Sequence, residues 1–206
     1  MAMTNDAPEL PANNPQAADV TTPANAGREP IFQSLKRMWC PQHGDEVQKD
    51  LLALVASAKK TIDIGIYGYA WKELSAALIK KHEAGVKVRI VFDRTQAGGL
   101  GERDLVAEVI AAGIECYVGT SPRHAIRHTK DLVVDGIAGE MGSLNYSESG
   151  FKQNNTVEIF YDAGLAQYII ADLEDNIKFL VEQEPQWNTP VGHPVLPAPK
   201  VKTKKP

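Results

Sequence analysis

Residues 128–145 read His128-Thr129-Lys130-Asp131-Leu132-Val133-Val134-Asp135-Gly136-Ile137-Ala138-Gly139-Glu140-Met141-Gly142-Ser143-Leu144-Asn145. An Asp-Gly pair between apolar runs is the strongest short hairpin signal, because a tight primed turn needs positive φ at its centre. With Asp135 and Gly136 as the two turn residues, Val134 pairs with Ile137, Lys130 faces Met141 and His128 comes opposite Ser143. Directly opposed residues point to the same side of a sheet, and side chains alternate with a period of two. His128, Lys130, Ser143 and Asn145 then project from one face, provided the pairing extends that far. A polar set in an otherwise apolar hairpin costs free energy unless its members are paired or meet a ligand.

Working outward from the hairpin, the periodicity switches between the two regular classes. Upstream, Asp45 followed by Gln48 reads as a capping-box helix start, with Val47, Leu51, Leu54, Val55 and Ala58 on one helical face. Ile62, Ile64 and Ile66 alternate as a strand. Leu74, Ala77, Leu78 and Lys81 predict a second helix ending before Gly85, and Val86 to Phe92 a second strand. A third helix over about 102–112 ends at Gly113 and is followed by a strand over 114–118. Two more strands fall at 127–134 and 137–143, another at 155–161, and a closing helix at about 165–182. Strands separated by helices indicate an α/β fold, a mixed β-sheet flanked by helices, largely parallel in its first half.

Each residue of the polar face has a use in phosphodiester chemistry. A neutral imidazole can attack phosphorus and form a phosphohistidine, dividing one displacement into two. A lysine ammonium and an amide donor can hold non-bridging oxygens where negative charge is stabilised. Nothing in this chemistry requires a metal or another cofactor. The leaving oxygen needs a proton, and one imidazole cannot be both neutral nucleophile and protonated acid in one step. With one such motif per chain, a twofold axis beside His128 supplies the second histidine, which predicts a homodimer.

These residues resemble the HKD motif of the phospholipase D superfamily: His-x-Lys, four residues, Asp, six residues, Gly-Ser-x-Asn. His128, Lys130, Asp135, Gly142, Ser143 and Asn145 match it at every required position. Segments 58–67 and 85–93 look like the family's first strand–helix–strand unit, and the likeness covers about 45–182. It is to the small bacterial nuclease-type members that carry one motif per chain and act as homodimers. The resemblance implies a phospholipase D/nuclease-like fold, His128 as nucleophile, a second copy's His128 as general acid and then base, and Lys130, Ser143 and Asn145 as phosphate ligands. Asp135, by parity, supports the hairpin. These nucleases usually place a glutamate about 11 residues after the motif asparagine to orient the histidine; this chain has Thr156 there. Glu158 shares a strand face with Thr156 and is the candidate for that role.

The remaining sequence bounds the setting. At 206 residues and 43% hydrophobic content the chain suits one sizeable core. The organisation expected is a disordered N-terminal arm over 1–30, a catalytic body over 31–184 and a Pro/Lys-rich tail over 185–206 ending in a short basic run. A net charge of −4 argues against retention on nucleic acid by bulk charge. Any polyanion contact is therefore local, and Arg127, with Arg123 and His124, forms a basic cluster suited to phosphate contacts. Cys40 and Cys116 are too few for a disulfide framework, so a reducing compartment is the default. Cys40-Pro41-Gln42-His43 is half of a metal site without a second half. Gly98-Gly99-Leu100-Gly101 lacks the lysine and serine or threonine of a phosphate-binding loop. The opening residues lack a signal peptide, and no apolar run reaches membrane-span length, which points to the cytoplasm; export by a machine that reads no cleaved signal would leave the same sequence. Three functions stay open: a nuclease acting on DNA or RNA, a phospholipase D or phosphatidyl transferase acting on lipid headgroups, and a catalytically silent nucleic-acid-binding module.

Overall fold

A computed structural model describes residues 35–197. The arm expected over 1–30 and the basic run at 201–206 lie outside the described residues. In chain order the elements are β1 (Leu35–Cys40), α1 (Gly44–Ser57), β2 (Thr61–Ile66), β3 (Tyr69–Ala70), α2 (Lys72–Glu83), β4 (Lys87–Asp93), α3 (Arg94–Ala97), α4 (Arg103–Ala111) and β5 (Glu115–Gly119). There follow β6 (Lys130–Val134), β7 (Ala138–Gly142), β8 (Tyr146–Ser147), a 3-10 turn (Gly150–Lys152), β9 (Asn155–Tyr161) and α5 (Ala163–Gln183).

Seven strands form one sheet in the order β1-β9-β7-β6-β2-β4-β5. β2, β4 and β5 run parallel, joined by helical crossovers, while β6, β7, β9 and β1 are added antiparallel. This is the mixed sheet that the alternation of periodicities predicts. Ile62, Ile64 and Ile66 point to the face covered by α1, α2 and α4, where Leu51, Leu54, Leu74, Leu78, Val106 and Val109 close the main core. The other face is covered by α5, whose Ala166, Leu173 and Leu180 pack on Val133, Phe160, Val91 and Tyr117. With helices on both faces the central strands carry few outward residues, which is why even Asp63 is buried, bonded at 2.6 Å to Arg89 Nε.

The hairpin differs from the two-residue turn that Asp135-Gly136 predicts. Val134 pairs with Ala138 and Asp131 with Met141, so the connection has three residues, with the Ile137 N–H bonded to the Val134 carbonyl at 3.1 Å. Asp135 and Gly136 both have positive φ, 52° and 68°. Asp135 is drawn off the ladder by its own bonds: its carboxylate accepts the backbone N–H groups of Lys59, Lys60 and Thr61. A one-residue slip sends alternate side chains to the other face. Lys130 therefore comes level with Gly142 rather than Met141, and the expected single row of His128, Lys130, Ser143 and Asn145 is not formed.

Two further expectations are corrected. Helix α1 has His43 at its N-cap with no side-chain capping bond; Gln48 Nε2 instead reaches the Gly44 carbonyl at 3.4 Å, so no capping box forms. Residues 185–197, expected to be a loosely attached tail, are tied along the edge strand β5. The Asn188 side chain bonds both the N–H and the carbonyl of Val118, at 2.8 and 2.9 Å, and the Gly192 carbonyl accepts the Cys116 N–H at 2.7 Å. These bonds satisfy a sheet edge that would otherwise present unpaired backbone groups.

Candidate active site

Three chain segments meet at the end of the central strands. β2 continues beyond Ile66 into Tyr67 and Gly68, and the Tyr67 N–H donates to the Thr129 carbonyl at 3.0 Å. The Tyr67 ring packs against His128 with centroids 4.7 Å apart and planes tilted by 56°. Lys130 Nζ lies 4.9 Å from the centre of the same ring and donates to the His128 carbonyl at 2.6 Å. On the far side the Tyr146 N–H bonds the Gly68 carbonyl at 2.9 Å, setting Asn145 against Gly68. A Cβ on Gly68 would stand 3.0 Å from Asn145 Cγ, so the amide occupies the space that the missing side chain leaves.

Tyr67 is thus a platform with an imidazole and an ammonium against its ring. His128 is exposed and Lys130 is only 2% exposed. Burial pushes the Lys130 ammonium down to about 8, only partly opposed by the negative charges of Asp131 and Asp93. Asn145 Oδ1 is buried with no hydrogen-bond partner among the described residues, and the Nδ2 of the same amide is the donor that an anion can use beside Gly68. An exposed ring nitrogen, a cation held at low proton affinity and an unspent amide together suit a tetrahedral anion.

The other predicted residues separate from this group to different degrees. Ser143 is exposed on the far end of β7; its hydroxyl donates to Asn155 Oδ1 and accepts the Thr156 N–H, both at 3.0 Å. Asp135 stands at the opposite end of the hairpin from His128. Burial alone would raise its carboxyl, but the N–H donors of Thr61, Lys60 and Lys59 outweigh this and hold it below its ordinary value. Glu158 is opposite Met141 in the ladder, and Met141 is opposite Asp131, so Glu158 lies on the α5 face, away from Lys130. It is ion-paired with Arg37 on the neighbouring strand β1, and the structure does not bring it to His128 of the same chain.

The structure places Arg127 as a strut that also lines the recess beside His128. Asp93, at the end of β4, accepts the Arg127 N–H at 2.8 Å, which pulls residues 127–129 out of the ladder and explains why β6 begins only at Lys130. The guanidinium turns beneath the sheet, buried, with Nη2 3.3 Å from Asp172 of α5. It crosses Gly65 so closely that a Cβ there would lie 2.7 Å from Nη2. The basic cluster with Arg123 and His124 is therefore not assembled. Asp131 shares this face, and burial raises its carboxyl to about 6 despite the nearby Arg127 charge. A recess of about 270 Å³ beside His128 is lined by Ser121, Ile126, Arg127, Thr129, Asp172 and Asn176.

Sequence reasoning missed Tyr67, Gly68, Gly65 and Asp93 as parts of the site. The readable signal was Gly65-Ile66-Tyr67-Gly68-Tyr69, where two glycines flank the end of a buried strand and so mark close approach of other groups.

Comparison with known proteins places this geometry. The family model described as cardiolipin synthase, PLD-like domain, matches residues 51–177. Among curated relatives, the mitochondrial cardiolipin hydrolase of Xenopus tropicalis is 27% identical over 127 residues, 61% of this chain and 59% of that protein. A phospholipase D of Rickettsia prowazekii is 29% identical over 120 residues, 58% and 57% of the two chains. The chain thus spans less than two thirds of the length of these relatives. Among solved structures, the phospholipase D family member Nuc from Salmonella typhimurium superposes with a TM-score of 0.63 at 24% identity, over 70% of this chain and 94% of that one. NucT from Helicobacter pylori gives 0.61 at 16%, over 70% and 97%. Matched through most of its sheet and across the whole His128–Asn145 segment, the chain belongs to the phospholipase D superfamily.

Proposed function

We infer that the protein is a metal-independent nuclease that cleaves DNA or RNA through a phosphohistidine, with an active site shared by two copies of the chain. The observation that carries this is the Tyr67 platform, which holds an exposed imidazole beside a buried lysine and an unspent asparagine amide. A ring nitrogen of His128 attacks phosphorus, a P–N bond forms, and the P–O bond to the leaving group breaks. The leaving oxygen takes a proton from the His128 of the second copy. That imidazole then removes a proton from water, which attacks phosphorus, breaks the P–N bond and restores the first histidine. Lys130 and Asn145 bind the non-bridging oxygens, where charge builds, and the Ser143 hydroxyl joins them once its single proton turns from Asn155 Oδ1 to the phosphate. Asp135 fixes the hairpin from its far end.

The recess beside His128, lined mostly by polar side chains, supports a hydrophilic leaving group such as a nucleoside. A lipid-headgroup substrate is the second reading, favoured by relatives that carry the name cardiolipin hydrolase. Among the described residues no helix is long and apolar enough to cross a membrane. The test is cleavage of labelled oligonucleotides in excess EDTA, comparing the protein with His128→Ala, alongside cardiolipin vesicles. EDTA-resistant cleavage that the variant lacks is the expected result. Headgroup release without oligonucleotide cleavage assigns the lipid reading, and EDTA-sensitive cleavage overturns the mechanism.

A further inference from the structure

A cavity of about 480 Å³ lies apart from the recess beside His128. It opens at the other side of the motif and is lined by Trp39, Gln42, His43, Asn154, Asn155 and Thr156. Its wall reaches the end of the motif at Ser143, whose hydroxyl donates to Asn155 Oδ1 and accepts the Thr156 N–H, each at 3.0 Å. Trp39 pairs with Thr156 across β1 and β9, so the indole stands over Thr156 on the same face. It is 52% exposed, whereas Trp71 is fully buried. Gln42, His43 and Asn154 are exposed around it, and His43 Nδ1 is already engaged with Glu46 at 3.2 Å.

The chemistry of this lining is selective. An exposed indole offers a flat face, and two carboxamides offer both donors and acceptors at its edge. Asn155 is spent on Ser143 and on the Gly150 carbonyl, which leaves Gln42 and Asn154 as the amides available to a ligand. An acyl chain would leave these amides unpaired, and a phosphate would find no lysine or arginine among the lining residues. A nucleobase satisfies all of them, stacking on the indole and bonding through its edge. Position supplies the remaining constraint, since a base entering here hangs from a sugar–phosphate chain that passes Ser143.

We propose that this cavity is a nucleobase subsite, in which Trp39 stacks on a base flanking the scissile phosphate and Gln42 and Asn154 bond its edge. The proposal deepens the nucleic-acid reading above and rests on it. It also gives a use to Cys40-Pro41-Gln42-His43: Cys40 is buried in the core, and the next residues carry the rim.

The test measures binding of a short fluorescent single-stranded oligonucleotide, and of the same sugar–phosphate chain carrying abasic residues, to the full chain in a His128→Ala background that prevents turnover. Trp39→Ala is expected to weaken binding of the base-bearing strand by roughly ten-fold or more, from the loss of one stacked base. The abasic strand is expected to bind with little change, and Trp39→Tyr to recover most of the loss. Equal effects on both strands, or none on either, overturn the subsite while leaving the nuclease reading intact. Loss of self-association in Trp39→Ala, with weakening on both strands, assigns the indole to contact between copies and also overturns it. Failure of the parent protein to bind either strand, with no cleavage of any oligonucleotide by the wild type, removes the nucleic-acid reading and the subsite together.

Discussion

Replacing Lys130 by methionine is expected to abolish turnover and yet stabilise the fold. Lys130 is 2% exposed, and burial lowers its ammonium from 10.5 to about 8. The folded chain thus releases this proton near pH 8 and the unfolded chain near 10.5. Between those values the unfolded state binds more protons, so the stability of the wild type rises with pH across the window. Below it, the cost of a buried charge is present in full, about 3 kcal/mol for a shift of this size. Methionine fills a similar volume without the charge. Lys130→Met should therefore exceed the wild type in urea unfolding at about pH 7 by ~1–3 kcal/mol, part being lost with the bond to the His128 carbonyl. The gap should close as pH rises toward 10.5, because the wild type then carries a neutral amine. Other titrating groups are common to both proteins and cancel. A gap that does not change with pH, or one that widens as pH rises, would refute the reasoning.

Asp135→Ala should cost about 1–2 kcal/mol in urea unfolding, because three backbone N–H groups lose a charged acceptor at a partly exposed site. Asp135→Asn should cost less, since asparagine tolerates the φ of 52°, but should abolish the stability that Asp135 contributes above its ordinary pKa and loses as pH falls through its lowered value. Glu140, fully buried and bonded to the Tyr146 hydroxyl at 2.6 Å, has its carboxyl raised from 4.5 to about 8 by burial. The folded state holds the extra proton between those values, so stability falls as pH rises through them, and Glu140→Gln should flatten that limb in melting curves at about pH 5 and pH 8. Gly68→Ala places a methyl 3.0 Å from Asn145 Cγ and should lower kcat by about ten-fold or more through misplacement of the amide, with little change in the unfolding midpoint.

Much of the architecture is readable because periodicity and length report which face an element buries. The alternation at Ile62, Ile64 and Ile66 and the helical spacing from Leu74 to Lys81 each correspond to an element of the right type. The motif spacing names candidate residues but not their arrangement. Asp-Gly signals a turn; whether that turn has two or three residues depended on Asp135 finding three N–H groups 74 to 76 positions earlier in the chain. Local sequence holds no record of such a bond. The same applies to Arg127, whose neighbours in sequence suggest an exposed basic cluster while Asp93, 34 residues away, and the Gly65 notch turn it inward. Two-residue strands such as β3 and β8 and the packing of residues 185–197 on β5 are legible only once the partner surface exists.

Among the described residues no carboxylate is bonded to Lys130, which bears on how the site handles its substrate. Its ammonium donates to the His128 carbonyl, a neutral acceptor, and Asp131 and Asp93 act on it only through space. A bonded carboxylate would stabilise the ammonium but would also cancel the charge that a phosphate needs. A phosphodiester entering beside the Tyr67 ring brings the missing negative charge, so the proton affinity of Lys130 should rise in the complex. The profile of kcat/KM reports groups of the free protein and that of kcat reports the complex. A basic limb near pH 8 is therefore expected in kcat/KM, displaced upward in kcat, and absent from both when Lys130 is replaced by arginine if residual turnover survives. Coincident limbs in the two profiles would mean that Lys130 meets no new charge on binding, and the phosphate role assigned to it would be wrong.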